Sequence, residues 1–499
     1  MFSEPLLRYA AAHGLLDEAD FCYTENQILA LYGADAPDEL PAVTLPESPT
    51  PGALLDAYTD IAVSRGLLED TVTRRDLFAA RLMGLVTPLP SQVNRQFAAL
   101  YADAPARATD WFYALCNANG YIQRERIAKN ICWQTETEYG ALDVTINLSK
   151  PEKDPRDIAA AGRAQSVVYP KCQLCRENEG YAGRLDHPAR QNLRVIPLTL
   201  TGQPWFFQYS PYAYYNEHCI VLDAQHTPMK IDRACFTQLL EFVSQFPHYF
   251  VGSNADLPVV GGSILSHAHF QGGADRFPMA DAPIERHVTL EGYEDVECGI
   301  VKWMMSVLRI RSANRERLVD LADRVLTAWR GYTDASQAVI AYTGDTPHHT
   351  ITPIARFRDG AYELDLVLRD NHTTPEHPLG LYHPHAELHH IKKENIGLIE
   401  VMGRAILPAR LKTELEAVRQ WIASGMPETA DDAVTKHADW VRGFIGNYPP
   451  DADFAQVLRD ETGKVFMQVL MQCGVFDRTE EGQAAFVRFL SQIKGIASR

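Results

Sequence analysis

Between Cys219 and Gly273 the chain switches hydrophobic period repeatedly, and this restricts its fold more than any other feature. Cys219-Ile220-Val221-Leu222 is a short apolar run suited to a buried strand. After Asp232, the residues Phe236, Leu239, Leu240, Val243 and Phe246 recur at helical spacing until Pro247 stops them. Tyr249-Phe250-Val251-Gly252 reads as a second strand and leads into a Gly-rich turn. Strand, helix, strand and turn predict one compact α/β unit here.

The flanking sequence extends that reading. Up to about residue 120 the pattern is helical, as around Asp110-Trp111-Phe112-Tyr113-Ala114-Leu115. Residues 34–52 interrupt it with Pro37, Pro41, Pro46, Pro49, Pro51 and Gly52, which predicts an extended connector. Asp143 to Leu148 alternates with the strand period, and Ala338-Val339-Ile340-Ala341-Tyr342 and Tyr362 to Arg369 read as further strands. Ile396, Ile399, Met402 and Ile406 predict a long helix from about Asn395, and the last seventy residues return to helical spacing. Two related α/β halves between helical ends are expected.

A chain of 499 residues exceeds what one core usually holds, so several packed units are expected. The net charge of -17 and the lack of a Lys/Arg-rich run argue against nucleic acid, while small phosphorylated ligands stay open. Nothing at the N-terminus resembles a secretory signal, and no apolar run is long enough to span a membrane. Nine scattered cysteines are not a disulfide framework, so the cytoplasm is the expected compartment.

The chemistry concentrates in Gly261-Gly262-Ser263-Ile264-Leu265-Ser266-His267-Ala268-His269-Phe270-Gln271-Gly272-Gly273. On a strand, His267, His269 and Gln271 would share one face. Three polar groups on one face of an apolar segment need partners or a ligand, and flanking glycines allow close approach. Satisfied histidines on a solvated edge are the alternative. Imidazole can attack phosphorus to form a phosphoramidate, dividing one hard transfer into two easier ones. Gln271 would offer an amide N–H to phosphate oxygens, and it is a poor base for water.

Cys172-Gln173-Leu174-Cys175 supplies half a zinc site, with His226 and His267 as candidates for the other half. A redox pair or two unrelated buried thiols are the alternatives. The uneven histidine cluster of His348-His349, His383, His385 and His389-His390 could hold a second metal or belong to surface loops. Lys150 and Lys153, in Asn147 to Asp154, could hold phosphate or be solvated.

His267-Ala268-His269-Phe270-Gln271 resembles the His-x-His-x-Gln motif of the galactose-1-phosphate uridylyltransferases, in the histidine-triad superfamily. Asp143 to Pro155, Pro170 to Gly183, Tyr214 to Met229 and His389 to Leu407 resemble the family's second, largely bacterial class. The resemblance implies an α+β fold: a duplicated histidine-triad-like antiparallel sheet with helices, plus helical N- and C-terminal extensions. Its expected division is a helical region 1–130, a catalytic half 131–290, a second half 291–425 and a helical region 426–499. It further implies that His269 carries UMP, that Gln271 holds the transferred phosphate, and that Cys172, Cys175, His226 and His267 bind a structural zinc. The resemblance also implies that Asn254 and Ser263 fall in the stretch that lines the nucleotide phosphates. The implied reaction is a ping-pong exchange of UMP between UDP-glucose and galactose 1-phosphate, in a homodimer. Ala268 and Phe270 stand where the better-known class has Pro and Gly, and the later histidines do not reproduce its iron-type site at clear spacing. The rivals are a dinucleoside polyphosphate phosphorylase or nucleotide hydrolase of the same superfamily, and a non-catalytic, zinc-stabilised nucleotide-binding protein.

Overall fold

The computed structural model describes residues 2–149, 154–163, 167–262, 264–429 and 431–493. They form two compact units, each discontinuous in sequence: residues 1–129, 149–228 and 266–274, and residues 130–148, 229–265 and 275–499. Both are mixed α and β, with antiparallel main sheets.

In the first unit the helical N-terminal region forms as expected, with helices Glu4–Ala12, Phe21–Tyr32, Pro51–Ser64, Val72–Val86, Pro90–Asp103 and Pro105–Ala118. Thr50 and Thr71 cap two of them by accepting from Ala53 N and Arg74 N, and proline opens three where its missing N–H costs nothing. The connector at 34–52 is largely extended, with one short turn of 3-10 helix at Pro37–Glu39. The sheet runs Ile196–Leu200, Gln203–Tyr209, Cys219–Asp223, His269–Gly273, every pair antiparallel. Thr201 and Gly202, both at positive φ, close its first hairpin with the twist such turns favour. Phe97 and Phe112 from the helices meet Phe207 of the sheet, with ring centroids at 6.5 and 5.8 Å.

In the second unit a sheet runs Phe250–Gly252, His349–Arg358, Ala361–Asp370, Val307–Ser312, Glu297–Val301, Ile284–His287. Helices Arg233–Gln245 and Arg315–Gly331 pack on it through Phe236, Leu239, Leu240, Val243, Leu321, Val325 and Trp329. A smaller sheet pairs Ile131–Thr137 with Gly140–Ile146, and Gly140–Ile146 with Arg404–Leu407 in parallel. Helix Phe454–Gln472 lies on it and, with Glu480–Leu490, forms the expected helical C-terminal end; helix Leu411–Ala423 precedes that end.

Several expectations change. The 219–252 stretch is not one unit: its first strand belongs to the first unit, while its helix and second strand join the second. Phe250–Gly252 pairs with His349–Arg358. Of Ala338 to Tyr342 only Tyr342 is in a strand, the two-residue Tyr342–Thr343. Asp334 and Val339 bond reciprocally around a short 3-10 turn, and Ala338 sits at φ 55°. The long helix from Asn395 is only Leu398–Val401, because Gly403 at φ 103° turns the chain into the Arg404–Leu407 strand. The four-part division at 130, 290 and 425 stays a proposal from the resemblance.

Candidate functional site

The metal-binding candidates meet in the first unit. Cys172 Sγ lies 3.6 Å from Cys175 Sγ and 3.3 Å from His267 Nδ1, and Cys175 Sγ lies 3.2 Å from His226 Nδ1. All four ligand atoms fall within 4.8 Å of one another. A tetrahedral zinc with ordinary bond lengths spaces its sulfur and nitrogen ligands about 3.3–3.8 Å apart, so the donor set and spacing fit. Among the described residues this is the one such grouping of three or more His, Cys, Asp or Glu. Burial pushes the Cys175 thiol up to about 11, a cost that a bound dication would reverse.

Local structure explains the convergence. Asn178 Nδ2 donates to the carbonyls of Cys172 and Cys175 at 2.9 and 2.7 Å, tightening the cysteine loop, and Asn178 Oδ1 bonds His187 Nε2 at 2.7 Å. Asp223 accepts from Gln225 N and Thr227 Oγ1, shaping the turn that carries His226. Thr227 O accepts from Ala268 N, and Asp223 N donates to Ala268 O, which ties that turn to the His267 segment. His267 Nε2–H donates to Asp223 O at 2.9 Å, leaving Nδ1 for a metal.

The strand starts at His269, so His267 precedes it and faces the cysteines; the expected three-residue face holds only His269 and Gln271. Backbone rotation before the strand separates a ligand from its neighbour two residues on. Leu222 and Ile220 are their cross-strand partners. On the other face Phe270 stacks on Trp205, with centroids 4.9 Å apart.

His269 is buried, and its Nδ1–H donates to His267 O at 2.8 Å. That bond places the lone pair on Nε2, pointing to nucleophilic chemistry at that atom. Burial, helped by the neighbouring His267, pushes the imidazole down to about 4, so it is neutral at ordinary pH. Gln271 Oε1 accepts from His218 Nε2–H at 3.1 Å. His218, Asp223 and Asn178 were not singled out from sequence. Each lies in or beside a segment that carries the family resemblance, but polar residues in turns are too common to select alone.

Asn254 lies buried in the second unit, where its Oδ1 accepts from Leu398 N at 2.9 Å. Ser263, Lys150 and Lys153 lie outside the described residues. The later histidines are not on a surface loop as a group: His348, His349 and His383 are buried. His349 bonds Asp370 and Trp329 O, His383 bonds Asn395, and His390 bonds His437 at 3.0 Å. Strand pairing and packing absorb them.

Comparison with known proteins adds an independent line. The N-terminal domain model of galactose-1-phosphate uridyl transferase matches residues 14–228, and the C-terminal domain model matches 241–435. A galactose-1-phosphate uridylyltransferase of Clostridium acetobutylicum is 50% identical over 97% of this chain and 98% of its own length. One from Caldanaerobacter subterraneus subsp. tengcongensis is 50% identical over 98% and 96%. Galactose-1-phosphate uridylyltransferase 2 of Streptococcus pneumoniae serotype 4 is 53% identical over 88% and 89%. Among solved structures, yeast Ap4A phosphorylase Apa2 aligns at 10% identity and a TM-score of 0.37, covering 77% of this chain and 97% of that one. Domain models that take in most of the sequence, and relatives sharing half its residues from end to end, establish that the chain belongs to the galactose-1-phosphate uridylyltransferase family.

Proposed function

We propose that this chain exchanges UMP between UDP-glucose and galactose 1-phosphate through a uridylyl-histidine on His269. The observation that carries the mechanism is the 2.8 Å bond from His269 Nδ1–H to His267 O, which leaves Nε2 as the nucleophile. Nε2 attacks the α-phosphorus of UDP-glucose; a P–N bond forms, the P–O bond to the departing phosphate breaks, and glucose 1-phosphate leaves. The imidazole keeps its Nδ1 proton and becomes cationic, with the His267 carbonyl facing the new charge. A phosphate oxygen of galactose 1-phosphate then attacks the same phosphorus and breaks the P–N bond, giving UDP-galactose and restoring neutral imidazole. Two in-line displacements retain configuration at phosphorus. The Gln271 amide supplies an N–H to equatorial phosphate oxygen and no base for water.

Zinc is the metal the Cys172, Cys175, His226 and His267 donor set suits, and its role is structural: when bound, it holds the segment whose carbonyl orients His269. Asn254 and Ser263 are proposed to hold substrate phosphates on the strength of the resemblance, and Lys150 and Lys153 as cations of the 147–154 stretch. The same resemblance supports a homodimer. A cytoplasmic protein without nucleic-acid or membrane partners fits the charge of -17 and the lack, among the described residues, of a helix long and apolar enough to cross a membrane.

Incubation with UDP-glucose and no acceptor, followed by intact mass, tests the reaction. An acid-labile gain of one uridylyl group is expected, absent in His269→Ala. Free UMP without an adduct would mean a hydrolase instead.

A further inference from the structure

An amide side chain has two nearly isosteric ends, and only one helps phosphoryl transfer. The –NH2 end donates to a charged phosphate oxygen, whereas the carbonyl end repels it. Something must therefore decide which way Gln271 is turned, and His218 is a directing group its side chain meets. His218 immediately precedes the strand Cys219–Asp223, whose Ile220 is the cross-strand partner of Gln271. Its Nε2 lies 3.1 Å from Gln271 Oε1.

The direction of that bond is set one step further back. Tyr214 N lies 3.5 Å from His218 Nδ1, and a main-chain N–H can only donate. Nδ1 is then the acceptor, the neutral imidazole carries its proton on Nε2, and Gln271 must turn Oε1 toward it. The –NH2 is left facing away from His218. The relay begins at a backbone group that neither flips nor titrates.

Its geometry is held firmly. The His218 ring stacks on Tyr215, with centroids 4.3 Å apart, and Tyr215 O–H donates to Gly272 O at 3.2 Å. His218 O accepts from Ser210 N at 2.8 Å. Glu217, just before it, keeps φ at 52°, and a Cβ on Gly273 would sit 2.7 Å from Glu217 O. A non-glycine at positive φ against a glycine with no room for a side chain marks a turn pressed tightly onto the strand.

We infer that His218 is a positioning residue for UMP transfer, fixing the flip of the Gln271 amide so that its –NH2 end is presented to the phosphate bound at His269. This rests on the reading of His269 as the uridylyl carrier.

Glutamine and glutamate of equal length at 218 separate the two amide orientations. His218→Gln can still donate to Gln271 Oε1; His218→Glu can only accept, and would turn the amide over. In single-turnover uridylylation from UDP-glucose, followed by intact mass, H218Q is expected to stay within about 3-fold of wild type. H218E is expected to be slowed about 100-fold with little change in KM. In a Q271A background the two substitutions should become equivalent. His218→Phe, which keeps the ring stack without charge, should slow the step about 10-fold and add nothing to Q271A. H218E as fast as H218Q, H218F at the wild-type rate, or either effect persisting undiminished in Q271A overturns the positioning role. A wild-type protein that forms no adduct overturns the reading of His269 itself, and this inference with it.

Discussion

Asp365 shows how one residue of the second unit couples stability to pH. Arg309 Nε and Nη2 donate to its two carboxylate oxygens at 2.7 and 2.9 Å, and Arg356 Nη1 adds a third bond at 2.8 Å. Burial alone would raise the carboxyl; Arg309 and then Arg356 outweigh it and hold it down to about 2. A folded value below the unfolded one stabilises the fold above about pH 4, and that contribution fades as pH falls from 4 through 2. The expected loss is about 2 kcal/mol, read as the difference in denaturant-derived stability between pH 5 and pH 2. Asp365→Asn should remove this pH dependence while destabilising the protein by about 3 kcal/mol at pH 7, since two buried guanidinium groups lose one of their two carboxylate partners and keep only Glu363. At the metal-binding candidates, Cys175→Ser should abolish stoichiometric zinc in an elemental assay, a loss that a mere buried thiol would not produce.

Among the elements, helix Phe454–Gln472 and strand Ile131–Thr137 approach most closely where Gly463 faces Thr135. A Cβ there would lie 2.2 Å from Thr135 Oγ1 and 2.3 Å from its Cβ. Gly463→Ala gains helix propensity but must push the helix off the sheet, and overpacking wins: a net loss of about 1–3 kcal/mol is expected. G463A combined with Thr135→Ser, which deletes the methyl but keeps the hydroxyl, should recover only part of the melting temperature. This scale also shows what patterning conveys. Arg233–Gln245 was legible because an Asp232 cap, a 3.6-residue stripe and a closing proline agree. The Leu398–Val401 turn was misread as a long helix because Ile396, Ile399, Met402 and Ile406 fit a helical stripe equally well. Gly403 and the parallel partner strand override that stripe, and a strand 261 residues away leaves no local trace.

For the whole molecule, a zinc at the proposed site would bridge three separated stretches, around Cys172–Cys175, His226 and His267. Metal removal should therefore lower the thermal midpoint as one event rather than loosen one loop; chelation is expected to cost about 5–10 °C, with restoration by added zinc. Native mass spectrometry should find one zinc per chain. Residue type and spacing in the sequence were enough to single out His267, His269, Gln271, Cys172, Cys175 and His226 as candidates, because imidazole, amide and thiolate chemistry belongs to the side chain itself; their roles as UMP carrier, phosphate donor and metal ligands came from the family resemblance and remain proposals. The hydrophobic periods likewise marked most helices and the strands at 219–222, 250–252 and 362–369. Tertiary structure alone decided that His267 turns away from His269, that the 219–252 stretch divides between two units, and that His218 meets Gln271. Those outcomes depend on strand pairing and hydrogen-bond direction between residues far apart in the chain, which a local pattern does not encode.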